Sequence, residues 1–223
     1  MHKYAIIVAG GKGERMGSET PKQFLELKGK PILMHTLEKF KTAFPAIEII
    51  LALPENQIDF WEELCYKHGF TNVPHYIVKG GQTRFHSVKN ALELVKRESI
   101  VAVHDGVRPL VTTKTITNCF NEAAQKGNAI PVMDIEESLR YFSKQDGTNH
   151  AVPRSCYKIV QTPQCFQSEL ILKAYKQSYD VNFTDDASVI EKLGETINLV
   201  KGNKENIKIT TTEDLLIAEV LLR

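Results

Sequence analysis

The sequence predicts one α/β domain, a mostly parallel central sheet flanked by helices, with a β-ribbon inserted late in the chain. Three observations carry that prediction. Short apolar runs alternate with amphipathic helical patterns, which is how a parallel sheet with crossover helices is written. The first apolar run ends in a glycine-rich loop, the place where such a sheet binds phosphates at the carboxyl edge of its strands. The 223 residues suffice to bury a sizeable core, and no repeat, low-complexity tract or linker divides them. One domain spanning 1–223 is expected.

Strands are expected at Tyr4–Ala9, Ile47–Leu53, Tyr76–Val78, Ile100–His104, Ala129–Val132 and Thr196–Val200. Between them, Leu33, Leu37 and Phe40 share a helical face, as do Ile58, Trp61, Leu64 and Cys65. Val88, Leu92 and Val95 form a third face, and Ile116, Phe120 and Ala123 a fourth. A last helix is expected from Thr211 or Thr212 through Leu216 and Val220, because Thr210-Thr-Thr-Glu213 has capping-box spacing.

One segment breaks the alternation. The extended runs Ser138–Phe142 and Asn149–Arg154 flank Lys144-Gln-Asp-Gly147, and Asp-Gly is a hairpin-turn signal. A two-stranded ribbon alone is marginally stable in water. This arm, 136–157, must pack on something, either a second subunit or its own domain.

Charge narrows the function classes. The chain has 28 basic and 27 acidic residues, a net charge of +1, and so advertises neither a nucleic-acid surface nor a polybasic membrane patch. The first apolar run, Ala5 to Ala9, is too short for a signal-peptide core, and no later run reaches the roughly 20 residues of a membrane span. Cys65, Cys119, Cys156 and Cys165 form no Cys-x-x-Cys pair, so free thiols in a reducing cytoplasm are expected.

Chemistry concentrates in Ala9-Gly-Gly-Lys-Gly-Glu-Arg-Met16. Gly10, Gly11 and Gly13 let the backbone approach a phosphate and turn its N–H groups inward. A Walker A loop needs Lys-Ser/Thr after its glycines, and none follows. A dinucleotide fingerprint needs a glycine where Met16 stands, which counts against an NAD-dependent oxidoreductase. Arg15 lies within the loop, and Lys22 follows in Thr20-Pro-Lys-Gln-Phe24, where Pro21 restricts the approach of the cation. Two cations beside a backbone cradle suit a phosphoryl centre whose equatorial oxygens gather negative charge.

This string, with Pro21-Lys-Gln-Phe24, resembles the nucleotidyltransferases that activate sugar phosphates, and among them the 2-C-methyl-D-erythritol 4-phosphate cytidylyltransferase family. The resemblance extends through several separated motifs over nearly the whole chain. It implies a Rossmann-like nucleotidyltransferase domain that moves CMP from CTP onto a polyol phosphate in non-mevalonate isoprenoid synthesis, with Mg2+ and as a homodimer. The ribitol 5-phosphate cytidylyltransferases share most of these motifs and give an alternative acceptor. A non-catalytic nucleotide-binding domain is the alternative from another class; it gives no reason for Arg15, Lys22 and Asp105 to occur together.

The remaining motifs divide by residue and by resemblance. In Gly80-Gly-Gln-Thr-Arg-Phe-His-Ser87 the glycines allow close approach of a flat base, and Ser87 offers a hydroxyl near a helix start. The resemblance makes Ala9, Gly10, Gly81 and Ser87 base contacts and gives Arg84 a place beside the nucleotide; a surface ion pair is the other reading of Arg84. In His104-Asp-Gly-Val-Arg-Pro109, an Asp at the carboxyl end of a central strand can offer Mg2+ a hard oxygen ligand. The resemblance assigns that role to Asp105 and contact with the acceptor to Arg108, while His104 reads as a structural strand-end residue. The family more often has Ala-Ala at Gly106-Val107.

On the ribbon, the resemblance places Ser138 and Arg154 in a partner's active site, with the Arg154 fork on the acceptor phosphate. Ser138 stands where the family usually has threonine, in a stretch about two residues longer. Thr162 and Thr184 follow as hydroxyl partners of the acceptor, although Thr184 also suits a helix N-cap. Lys208, in Asn206-Ile-Lys-Ile-Thr210, completes the catalytic cations by resemblance; alone it reads as an exposed strand lysine.

Overall fold

The computed structural model describes residues 1–10 and 20–222. Strand β1 (His2–Val8) leads to a 3-10 turn at Lys22–Phe24, a small hairpin of β2 (Glu26–Leu27) and β3 (Lys30–Pro31), and helix α1 (Ile32–Ala43). Next come β4 (Glu48–Leu53), α2 (Ile58–Lys67), β5 (Tyr76–Lys79), α3 (Arg84–Leu92), β6 (Ser99–Asp105), α4 (Thr113–Lys126) and β7 (Asn128–Asp134). The ribbon β8 (Leu139–Phe142) and β9 (Asn149–Val152) interrupts the sheet. It is followed by β10 (Lys158–Val160), β11 (Gln164–Gln167), α5 (Ser168–Ala174), α6 (Asp186–Glu191), β12 (Leu199–Lys201) and α7 (Thr212–Leu221).

The sheet order is β10-β7-β11-β6-β1-β4-β5, with β12 also pairing β7. Strands β5, β4, β1 and β6 run parallel, so their carboxyl ends share one edge. β11 inserts antiparallel between β6 and β7. The expected mostly parallel sheet is present, with β11 and the edge strand β10, antiparallel to β7, as departures.

β1 shows why the layers form. Ala5 and Ile7 pack on one face with Leu33, Leu37 and Phe40 of α1 and Phe120 of α4. Tyr4 and Ile6 pack on the other with Phe85 and Val88 of α3 and Ile171 of α5. Alternation sends successive side chains to opposite faces, and helices on both faces demand a continuous apolar run.

Several expected details shift. The last helix is capped one residue later than Thr210 and Glu213 suggest: Thr211 accepts from the Asp214 N–H at 3.2 Å, and Asp214 accepts from the Thr211 N–H at 2.9 Å. Leu216 and Val220 of that helix are exposed, and Ala218 is its buried residue. The strand expected at Thr196–Val200 begins only at Leu199 and continues to Lys201 as β12. Lys208 lies outside any strand; its neighbour Ile209 donates to the Val107 carbonyl at 2.9 Å. The ribbon forms, paired from Leu139↔Val152 to Phe142↔Asn149, with Gly147 at φ +71° in the turn. Tyr141 and Phe142 on it are exposed, so its own domain does not cover them. Ser138 immediately precedes β8, and Arg154 opens a 3-10 turn after β9. All four cysteines are free. Among the described residues no helix is long and apolar enough to cross a membrane.

Candidate active site

The carboxyl ends of β1 and β6, the start of α3 and the Lys22 turn meet at a cavity of about 280 Å³. Its lining includes Ala9, Gly10, Lys22, Gly81, Arg84, Ser87, Asp105 and Lys208, which are far apart in sequence. Gly11, Gly13 and Arg15 lie outside the described residues.

The cavity wall at Gly81 and Ser87 is built largely by backbone. Thr83 caps α3, and its carbonyl accepts from the Ser87 hydroxyl at 3.0 Å. The Ser87 oxygen in turn accepts the Gly81 N–H at 3.0 Å. A Cβ on Gly81 would stand 2.3 Å from the His86 Cβ, so the tight turn itself demands glycine. Gly106 is crowded likewise, with an added Cβ 2.9 Å from the Ala9 Cβ and 3.0 Å from Leu33 Cδ1. Ala9 and Leu33 fill the volume that alanine would need at position 106.

Asp105 is the electrostatic centre. Its carboxylate meets Lys208 Nζ at 3.1 Å, Arg108 Nε at 3.3 Å and Arg84 Nε at 3.5 Å. Burial by itself would raise its pKa, but Arg84, Lys208 and Arg108 together outweigh burial and hold the carboxyl well below the usual range. Arg84 is also gripped by the fully buried Asp186, at 2.9 and 2.7 Å to its two terminal nitrogens. Arg84 is therefore ion-paired within the chain, to a buried carboxylate and not at the surface as expected, and the same residue lines the cavity. Arg108 Nη1 donates to the Asn206 carbonyl at 2.8 Å.

His104 and Thr162 lock the loop behind Asp105. His104 Nε2 donates to the Arg108 carbonyl at 3.2 Å, which leaves Nδ1 to accept the Thr162 hydroxyl at 2.9 Å. Thr162 Oγ1 itself accepts the Asp105 N–H at 3.2 Å. Burial, only partly offset by the neighbouring Asp105, pushes the His104 pKa down to about 3, so the ring stays neutral and this tautomer persists. His104 is structural, as its strand-end position suggests. Thr162 is buried, its hydroxyl is engaged both as donor and as acceptor, and it does not line the cavity.

Of the residues expected on the acceptor side, Arg108 and Thr162 meet at Asp105, and the other three lie apart from them. Ser138, Arg154 and Thr184 are exposed, and none lines the cavity. Arg154 Nη1 donates to the Glu136 carbonyl on the same arm. The N-cap of α6 is Asp185, not Thr184. Gln23 is a lining residue that sequence reasoning missed. It is fully buried and donates to the Ala9 carbonyl at 2.8 Å and to Gln57 Oε1 at 2.6 Å, fixing the end of β1.

The family model for "2-C-methyl-D-erythritol 4-phosphate cytidylyltransferase" (IspD) matches residues 3–223. The chain belongs to that family. It is a nucleotidyltransferase. A Bacteroides fragilis protein of that name is 52% identical over 222 residues, covering 100% of both chains. A Clostridium acetobutylicum namesake is 40% identical and covers 98% of this chain and 96% of its own. Among solved structures, the Thermus thermophilus family member superposes with a TM-score of 0.80 at 29% identity, covering 99% of this chain and 98% of that one. The Anaerococcus prevotii 4-diphosphocytidyl-2C-methyl-D-erythritol synthase gives 0.83 at 28%, covering 99% and 96%.

Proposed function

We propose that this chain transfers CMP from CTP to the phosphate of 2-C-methyl-D-erythritol 4-phosphate and releases pyrophosphate, in the cytoplasm and as a homodimer. The observation that carries the reading is the convergence of Lys208 and Arg84 on Asp105 in one cavity that Lys22, Ala9, Gly10 and Gly81 also line. Peptide groups suit a base and phosphates; the cations suit a triphosphate.

An oxygen of the acceptor phosphate attacks the α-phosphorus, and the α–β bridging oxygen leaves with pyrophosphate. The nucleophile is already an anion at neutral pH, so the protein needs no strong base. Its task is to hold two repelling anions in line and to meet charge growing on the equatorial oxygens. Lys22 and Lys208 supply that charge within the described site, and Arg15 is assigned the same task from the glycine loop. Gly11 and Gly13 belong to the phosphate cradle in this reading. Ser87 and Gly81 orient the base.

Asp105 is the one acidic residue in the described cavity lining, and among the described residues no cluster of three metal-binding side chains occurs. That donor set fits Mg2+, which is commonly held by one or two carboxylates together with substrate phosphates and water. Bound there, Mg2+ would neutralise the triphosphate and keep it bent.

The acceptor side requires two chains in this reading. Arg108 borders the site from within, and Thr184 and Thr162 belong to the acceptor side. Thr162 serves by fixing Asp105, given where its hydroxyl is spent. Ser138 and Arg154 act on the partner's site, carried by a ribbon whose exposed Tyr141 and Phe142 gain cover from a second copy.

Pyrophosphate release with CTP, comparing 2-C-methyl-D-erythritol 4-phosphate with ribitol 5-phosphate, tests the reaction. Turnover with the first and little with the second is expected; the reverse preference would transfer the chain to the alternative acceptor. Light scattering at the mass of one chain would remove the dimer.

A further inference from the structure

Arg84 is held from behind by a residue that no motif singled out. Asp186, the first residue of α6, is fully buried and lies outside the cavity lining. Its oxygens take both terminal nitrogens of Arg84, at 2.9 and 2.7 Å, and Oδ1 also accepts the Tyr175 hydroxyl at 2.6 Å. Phe85 stacks on the Tyr175 ring with centroids 4.7 Å apart, shielding the group from water on that side. Across the guanidinium, Nε faces Asp105 Oδ1 at 3.5 Å. One cation is thus shared unequally: a two-pronged grip by Asp186 and a single, longer approach to Asp105.

The inequality has a consequence. An arginine with one carboxylate neighbour closes on it fork to fork, the strongest geometry open to the pair. Without Asp186, Arg84 would have that choice with Asp105 alone, and would cover oxygens that a cation needs. Asp186 supplies the stronger competitor, and Tyr175 sets its angle. Lys192, at the end of the same short helix, pairs instead with Asp180 at 3.6 Å.

We propose that Asp186, oriented by Tyr175, is a positioning residue that holds the Arg84 fork off Asp105 and so keeps Asp105 Oδ1, the oxygen that Lys208 and Arg108 do not engage, available to a nucleotide-bound divalent cation. This rests on the reading of Asp105 as the metal ligand. Partners one step behind a metal ligand commonly alter affinity by about 10- to 100-fold when removed.

The test uses the full chain saturated with α,β-methylene-CTP, with Mn2+ as the probe and its free concentration read by electron paramagnetic resonance. Asp186→Asn should weaken Mn2+ binding by about tenfold. Asp186→Glu, which keeps the charge, should recover most of that loss, and Tyr175→Phe should weaken binding roughly two- to threefold. A purely structural role would lower the melting temperature of the variants and leave the Mn2+ affinity of the folded protein unmoved. That result in Asp186→Asn would overturn the proposal, and the same result in Tyr175→Phe would overturn it if Asp186→Asn fails to fold. Asp105→Asn separates the two readings. If it weakens Mn2+ binding while Asp186→Asn does not, the positioning role alone falls; if it has no effect, the metal assignment falls and takes the proposal with it.

Discussion

Replacing Thr162 by valine removes one oxygen at nearly constant volume, and the structure says what that oxygen does. It accepts the Asp105 N–H at 3.2 Å and donates to His104 Nδ1 at 2.9 Å, in a site where Thr162 is 5% exposed and His104 fully buried. Valine leaves two buried polar groups without partners. Each such group costs about 1–3 kcal/mol, so the loss should be about 2–6 kcal/mol, with the lower half favoured by the added buried methyl. Serine, which restores the hydroxyl, should recover most of it. Urea unfolding followed by circular dichroism, with unchanged slope, gives the difference directly. Loosening of the loop at Asp105 should also lower kcat. A Thr162→Val variant within about 0.5 kcal/mol of the parent would refute the reasoning. A raised acceptor KM at unchanged stability would instead make Thr162 a direct contact.

Other consequences follow from the same geometry. Native His104 takes a proton only near pH 3, whereas the unfolded chain does so near 6.5, so stability is complete above pH 6.5 and falls as pH drops toward 3. Between pH 6.5 and 4.5 this amounts to about 2 kcal/mol. Burial lowers His35 and His75 as well, so the flattening of the urea midpoint profile in His104→Asn isolates this residue; an unaltered profile would contradict it. Gly106→Ala must displace Ala9 or Leu33 and should cost about 1–3 kcal/mol, measured by thermal unfolding. Gly81→Ala meets His86 at 2.3 Å and should weaken CTP binding along with stability; calorimetric titration that finds parental affinity would argue against this turn as the base-side wall. Lys22→Ala should lower kcat by about 10²–10³ with the fold intact by circular dichroism, and parental activity would remove it from the catalytic set.

What the sequence made legible follows from range and periodicity. β1, β4 and β6 are read from apolar runs because helices cover both faces, and the glycine loop and Asp105 are read from their place at strand ends. β11 escapes that logic. Gln164-Cys-Phe-Gln167 is short and bounded by polar residues, yet Gln164 is fully buried because Asp185 and the Ala187 N–H use its amide at 2.8 Å each. α5 and α6, at seven and six residues, are too short for a helical pattern to emerge. Asp186 is the clearest omission from the site. A carboxylate in a polar stretch reads as surface, and its meaning comes from Arg84, 102 positions away. Thr162 was read as a contact of the acceptor, but its bonds to Asp105 and His104 were not legible, since they depend on how β11 sits beside β6.

The crystal structure of the chain with CTP and Mg2+ tests the central claim most directly. The account predicts the triphosphate within hydrogen-bonding distance of Lys22 and Lys208, the metal on an Asp105 oxygen, and the base against Gly81 and Ser87. A well-ordered nucleotide bound elsewhere, with Lys22 and Lys208 remote from its phosphates, would contradict it.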